Sequence, residues 1–157
     1  LITRYGLRRY NDSFAERNTN FFTLGPRVDY RALDWLTLTL TYLYERGLAD
    51  GHKDTQFADD VSYYLHMVSA GTEFRLNRQW DLGFTYIHRR KTFTSGLAGD
   101  THVGRFDATH QGIAELRYHM SAAATVMLSY QYGQRTSTNV LRDFQNSIFS
   151  IGGQYRF

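Results

Sequence analysis

Apolar and polar residues alternate along nearly the whole chain. In the last segment Phe149, Ile151, Gly153, Tyr155 and Phe157 fall on one side, and Ser150, Gly152, Gln154 and Arg156 on the other. In the segment before it, Ala124, Val126, Leu128, Tyr130 and Tyr132 oppose Thr125, Met127, Ser129, Gln131 and Gly133. A helix would repeat about every 3.6 residues, so this period of two predicts strands. The same reading places eight of them, at about 1–11, 19–32, 35–46, 61–76, 80–92, 105–118, 122–135 and 144–157.

The connections alternate as well. Leu33-Asp34, Asn77 to Gln79 and His119 to Ser121 are tight; Asn11 to Asn18, Gly47 to Asp60, Phe93 to Gly104 and Thr136 to Asp143 are long and polar. The unit is a hairpin of about 40 residues repeated, with short turns at one end, long loops at the other and no linker. Residues 1–157 therefore read as a single domain. Composition then removes several classes. With 12 Tyr, 11 Phe and 2 Trp the chain is too rich in core-forming residues to be disordered. Without cysteine it holds no disulfide, no Cys-ligated zinc and no covalently attached haem. No apolar run approaches the roughly 20 residues of a membrane helix, but strands of a membrane barrel carry only this weak alternating signal. The net charge of +3 is dispersed along the chain, which argues against nucleic acid as a partner. Leu1 already reads as strand, as in a processed form or a piece of something longer.

Two cylinders fit this pattern. In a soluble eight-stranded barrel of the lipocalin type the apolar face points inward; in an outer-membrane barrel it points to lipid. The polar face carries Arg4, Arg8, Arg27, Asp29, Arg31, Glu45, Glu73, Arg75, Asp81, Arg89, Lys91, Asp107, Glu115, Arg117, Arg135 and Arg156. In a membrane barrel these line the lumen and pair with one another or stay hydrated. The apolar face favours the membrane. Tyr30, Trp35, Trp80 and Tyr118 lie near the short turns; Tyr42, Tyr44, Tyr64, Tyr86 and Tyr132 lie toward the long loops, with aliphatic residues between. Two aromatic girdles around an aliphatic band suit the two headgroup levels of a bilayer.

The C-terminal segment Ser147 to Phe157 resembles the terminal strand of Gram-negative outer-membrane β-barrel proteins, a porin-like superfamily. Phe149, Ile151, Tyr155 and Phe157 match its alternating apolar positions and final aromatic, and Gly153 departs slightly. The resemblance implies recognition by the barrel-assembly machinery. It also implies an outer-membrane location, with both termini periplasmic and the long loops extracellular. The expected fold is an all-β, antiparallel, up-and-down transmembrane barrel, with eight strands in this chain, either complete or the C-terminal part of a larger barrel. Pro26, the only proline, falls inside the second strand and removes a ladder donor, so a bulge or local gap is expected at Gly25-Pro26.

The expected function is structural or porin-type, with passive diffusion of small polar solutes if the lumen is open and with lipid and lipopolysaccharide as surroundings. A second possibility is a sheath or docking partner in an envelope complex, around an export assembly or a multihaem cytochrome. The run Tyr42 to Arg46 resembles strand ends of such barrels. A third is a lipid-modifying enzyme, since some outer-membrane barrels of similar size are lipid A deacylases or palmitoyl transferases that use Ser and His. His119-Met120-Ser121 falls in a short turn on the wrong side for that. His66, His88 and His110 lie on the apolar face, with Ser62 and Ser69 on the other, and read as interfacial histidines. No catalytic residue, cofactor or metal is assigned. Asp50, His52, Asp54, Asp59 and Asp60 read as a solvated acidic loop, and Arg89, Arg90 and Lys91 as candidate contacts to lipopolysaccharide phosphate.

Overall fold

A computed structural model describes residues 1–52 and 59–156. Nine strands run in chain order: β1 Ile2–Arg8, β2 Thr19–Gly25, β3 Arg27–Leu33, β4 Leu36–Ala49, β5 Tyr63–Arg75, β6 Trp80–Phe93, β7 Phe106–His119, β8 Ala124–Ser137 and β9 Phe144–Tyr155. They form one antiparallel sheet in the order β1-β2-β4-β5-β6-β7-β8-β9, with β3 also on β4. No α-helix occurs among the described residues, and the long loops carry only short 3-10 turns.

The alternation on strands is what the sequence predicted, with two corrections. The expected second strand is two pieces. Leu24 pairs with Tyr44 and Arg27 with Thr41, so the register runs through Gly25-Pro26 without a shift. The result is a gap in the ladder and not a bulge. Pro26 has no N–H to donate, although its carbonyl still accepts from the Tyr42 N–H at 3.0 Å. Gly25 is needed beside it, because a Cβ there would lie 1.8 Å from the Tyr42 carbonyl oxygen. The one register shift along β3 comes later, between Arg31 and Leu33 at the tight turn into β4.

The second correction concerns closure. No pairing joins β9 to β1, so the sheet is open, with β1 and β3 along one edge and β9 along the other. Every described residue of β9 is exposed. The short turns are set by side chains that satisfy local donors. Asn77 Oδ1 accepts from the Gln79 and Trp80 N–H groups at 2.8 and 3.0 Å, and Ser121 Oγ accepts from Ala123 and Ala124 at 3.2 and 3.1 Å.

The two faces differ in the reverse of the usual way. Leu40 is 56% exposed and its neighbour Thr41 8%; Ile151 is 76% exposed. Among the described residues the buried apolar side chains are Ala49, Tyr63 and Phe93, all at the loop end, while Thr19, Thr23, Asp60, Ser62, Asp100, His102, Arg105 and Asp107 are buried. There the sheet curls toward its polar face, so that Arg8 of β1 and Arg135 of β8 line one cavity with Lys91 and Asp107.

Candidate functional site on the concave polar face

Strand register places the sixteen predicted lumen charges on one face, or on its continuation past the end of β9 for Arg156. They do not form one continuous network. At the turn end Arg117 bridges Glu73 at 2.9 Å and Glu115 at 2.5 Å, linking β5 and β7 across β6. His119 Nε2 lies 2.8 Å from Asp81 and its Nδ1 3.0 Å from Thr125 Oγ1. Arg27 pairs with Asp29 at 2.9 Å, and Arg31 with Asp34 at 3.1 Å. Between the two ends, the rung of Thr41, Ser69, Ile87 and Gln111 is uncharged from β4 to β7 and meets a charge only at Arg27 on β3.

The loop end is a vestibule. Glu45 accepts from Thr23 Oγ1 at 2.7 Å and from the Tyr63 hydroxyl at 2.6 Å, and the Lys91 ammonium sits 3.9 Å above the Tyr63 ring. Arg105 forks onto Asp107 at 2.6 and 2.9 Å, both groups being buried, and Ser137 Oγ donates to the same carboxylate at 2.6 Å. Beside them lies a cavity of about 480 Å³ whose lining includes Arg8, Arg17, Lys91, Arg105, Arg135 and Arg142 against Asp59, Asp100 and Asp107. Arg17 and Arg105 have carboxylate partners. The Arg135 guanidinium donates to the Arg142 carbonyl oxygen at 2.9 Å and lies over the Phe144 ring. The vestibule carries a positive excess, so it can attract and weakly hold small anions.

Asp59 and Asp60 are not a solvated loop. Asp60 is 1% exposed; it accepts from the Ser62 N–H at 2.9 Å, and His52 Nδ1 lies 2.9 Å away. Asp100 accepts from the Asp60 and His102 N–H groups, each at 2.9 Å, tying two loops together. Burial works to raise both carboxyls, but the hydrogen bonds outweigh it. Those from Ser62 and His52 hold Asp60 below the usual carboxylate range, and those from Ser95, Asp60 and His102 do the same for Asp100. Asp59, Asp100 and His102 present ligand atoms within 4.8 Å of one another. Arg17 already engages Asp59, and His102 Nδ1 lies between the two carboxylates at 3.0 and 2.9 Å, so the group reads as a loop tether.

Other predicted sites separate in the structure. Ser121 spends its hydroxyl oxygen on backbone donors while His119 turns to Asp81, so these two make no nucleophile–base pair. Ser62 Oγ accepts from the Ala49 N–H at 2.9 Å. Of the three adjacent basic residues Arg90 alone stands on the exposed apolar face; Arg89 and Lys91 point to the concave side, as Met67 and Tyr63 beside them show. Tyr63 and Arg105 are site residues the sequence reading missed, and an aromatic at a polar-parity position near Glu45 was the available signal for the first. Phe157 and Asp54 lie outside the described residues.

On the exposed face the girdle residues form two bands oblique to the rungs. Near the turns the band descends from Tyr30 through the stacked Trp35 and Phe74 to Trp80 against Tyr118, whose rings are 4.5 Å apart. Near the loops it descends from Tyr44, stacked on Tyr64, to Tyr86 and Tyr132, which share a rung with Gly112 in mid-sheet. Across four strands the turn-side band shifts by four residues, from Tyr30 to Tyr118, and the loop-side band by four from Tyr44 or two from Tyr42 to Tyr132. No family model matches this chain, and no curated protein and no solved structure is significantly similar to it.

Proposed function

We propose that the chain is the wall of an outer-membrane β-barrel, non-enzymatic and of porin type, with its apolar face toward lipid and its cationic vestibule on a polar passage. The observation that carries this reading is the pair of oblique aromatic bands on a face without carboxylates. A strand tilted about 40° in a bilayer keeps its level only if the position moves by roughly 1.2 residues per strand crossed. Over four strands that is about five residues; the turn-side band moves by four and the loop-side band by two to four, in the same direction. The water-filled side then holds the paired charges, which lipid would exclude.

In this reading the short turns face the periplasm and the long loops the outside. Lipopolysaccharide and lipid surround the wall, and β9, with Phe149, Ile151, Gly153 and Tyr155 on its outer face, meets the assembly machinery. Hydrocarbon tolerates no open backbone edge, so β1 and β3 on one side and β9 on the other must find partners, in each other or in further strands. Those open edges also favour a second reading, a wall segment that docks with other envelope proteins.

Reconstitution tests the proposal. The chain should resist carbonate extraction from lipid vesicles and give nanosiemens-scale, anion-preferring steps in a planar bilayer. Extraction by carbonate removes the membrane reading. Stable insertion without conductance removes the porin function and leaves a structural or docking wall.

A further inference from the structure

The exposed face of the strands carries no Asp or Glu. Its permanent charges are Arg46 and Arg90, and three of the six histidines, His66, His88 and His110, stand with them. Arg46, His88, Arg90 and His110 lie on the loop side of Tyr44 and Tyr86, while His66 sits within the band, level with Tyr44 and below Tyr64. Arg46 and Tyr64 share one rung, His66 and Arg90 the next, and His88 and His110 the one below. The patch therefore follows the same oblique stagger as the bands, and two strand spacings, about 10 Å, separate the arginines.

The side chains are held by rings and not by counter-charges. Arg46 lies over Tyr64 at 5.5 Å and Arg90 over Phe106 at 5.2 Å, and neither has a carboxylate partner among the described residues. The Tyr42 hydroxyl meets His66 Nδ1 at 2.8 Å and the Tyr86 hydroxyl meets His110 Nδ1 at 2.6 Å. The His88 and His110 rings meet at a 45° tilt with centroids 4.6 Å apart. Below the patch the apolar face opens into a trough of about 680 Å³ that runs from Tyr30 on β3 past Ala70 on β5 to Gly112 and Ala114 on β7, with Tyr86 and Tyr130 among its walls. Small residues on β7 between aromatic rows on β6 and β8 leave a channel two strand spacings wide, room for an acyl chain. Cations fixed above such a channel, with no acid beside them, complement an anionic head on an apolar tail.

We infer that Arg46, Arg90 and the His66–His88–His110 cluster form a binding site for the phosphate headgroup of an anionic lipid whose acyl chain lies in the trough at β7. This rests on the membrane reading above, so insertion is scored separately. The full chain is reconstituted into nanodiscs of phosphatidylcholine with a minor share of phosphatidic acid, and the lipid retained on extraction into mild detergent is counted by native mass spectrometry. Retained lipid should be enriched in phosphatidic acid. Each arginine contributes roughly fivefold, so R46Q/R90Q should lower the enrichment on the order of twentyfold. R46K/R90K should restore part of it, and R78Q, in a turn at the opposite end, should leave it intact. Absence of enrichment in an inserted wild-type chain overturns the site, as does enrichment unchanged in R46Q/R90Q. Loss of the enrichment in millimolar inorganic phosphate would assign the cations to free phosphate and overturn the lipid proposal. A chain that fails to insert refutes the membrane reading itself.

Discussion

The two faces of this sheet are built from the same strands, one residue apart, and obey opposite rules. On the convex side Leu40, Phe84, Tyr130 and Ile151 are exposed, and the few cations have rings but no acids for company. On the concave side Thr23, Thr41 and Asp107 are buried, and charges meet charges. A soluble sheet would cover the first and wet the second. The difference teaches that alternation identifies a strand but is silent about which of its faces is dry. Register and curvature show which face the fold encloses.

The comparison breaks most sharply by exchanging the rules. Leu40→Arg puts a charge in mid-sheet on the exposed apolar face and, with that face toward lipid as proposed, should cost about 2–4 kcal/mol of folding stability in vesicles. Ser69→Arg, one rung away on the concave face, should stay within about 1 kcal/mol. Equal losses in urea titrations of the two would refute the assignment of faces.

The buried loop network comes next. Asp100→Ala strips the Asp60 and His102 N–H groups of their acceptor and should cost roughly 2–3 kcal/mol, read as faster hydrogen exchange at Asp60 to Ser62 and at His102. Gly25→Ala forces a methyl against the Tyr42 carbonyl and should lose about 1–3 kcal/mol by chemical denaturation, with β2 and β3 loosening first.

Acid should act on the loop tether in one direction. Asp60 and Asp100 have folded-state pKa values below their unfolded ones, so their contribution is fully present above about pH 4 and is lost as pH falls through the lowered values. Limited proteolysis of the loops should rise below pH 4 and be flat from pH 5 to 8. The smallest effect belongs to the half-exposed turn-end bridge: Arg117→Ala should cost under about 1 kcal/mol, and less at high salt. A loss as large as that of Asp100→Ala would mean the turn end is as dry as the loop end.

Much of this architecture was legible beforehand for simple reasons. Tight turns carry their own chemistry in Asn77 and Ser121, and a strand's period exposes which residues share a face, so the hairpins and the sixteen concave-face charges follow from local pattern. Arg89, Arg90 and Lys91 show where that stops. Adjacent in the chain, they read as one basic cluster, yet the pleat sends Arg90 outward and its neighbours inward. Tyr63 was marked only by being an aromatic at a polar-parity position, because its partners Glu45 and Lys91 come from other strands and nothing local marks their convergence. Asp59 and Asp60 read as solvated until a distant loop, with Asp100, is seen to close over them.

What the sequence determined by itself is the strand content, the turn positions and the partition of apolar and charged residues between faces, since each depends on neighbours a few residues apart. The tertiary structure decided that the interruption expected at Pro26 is a gap without a register shift, and it decided the open edges, the direction of curl and the grouping of charges into a turn-end cluster and a loop-end vestibule. Those depend on register between strands and on packing across the curled sheet, distances that no local window of sequence contains.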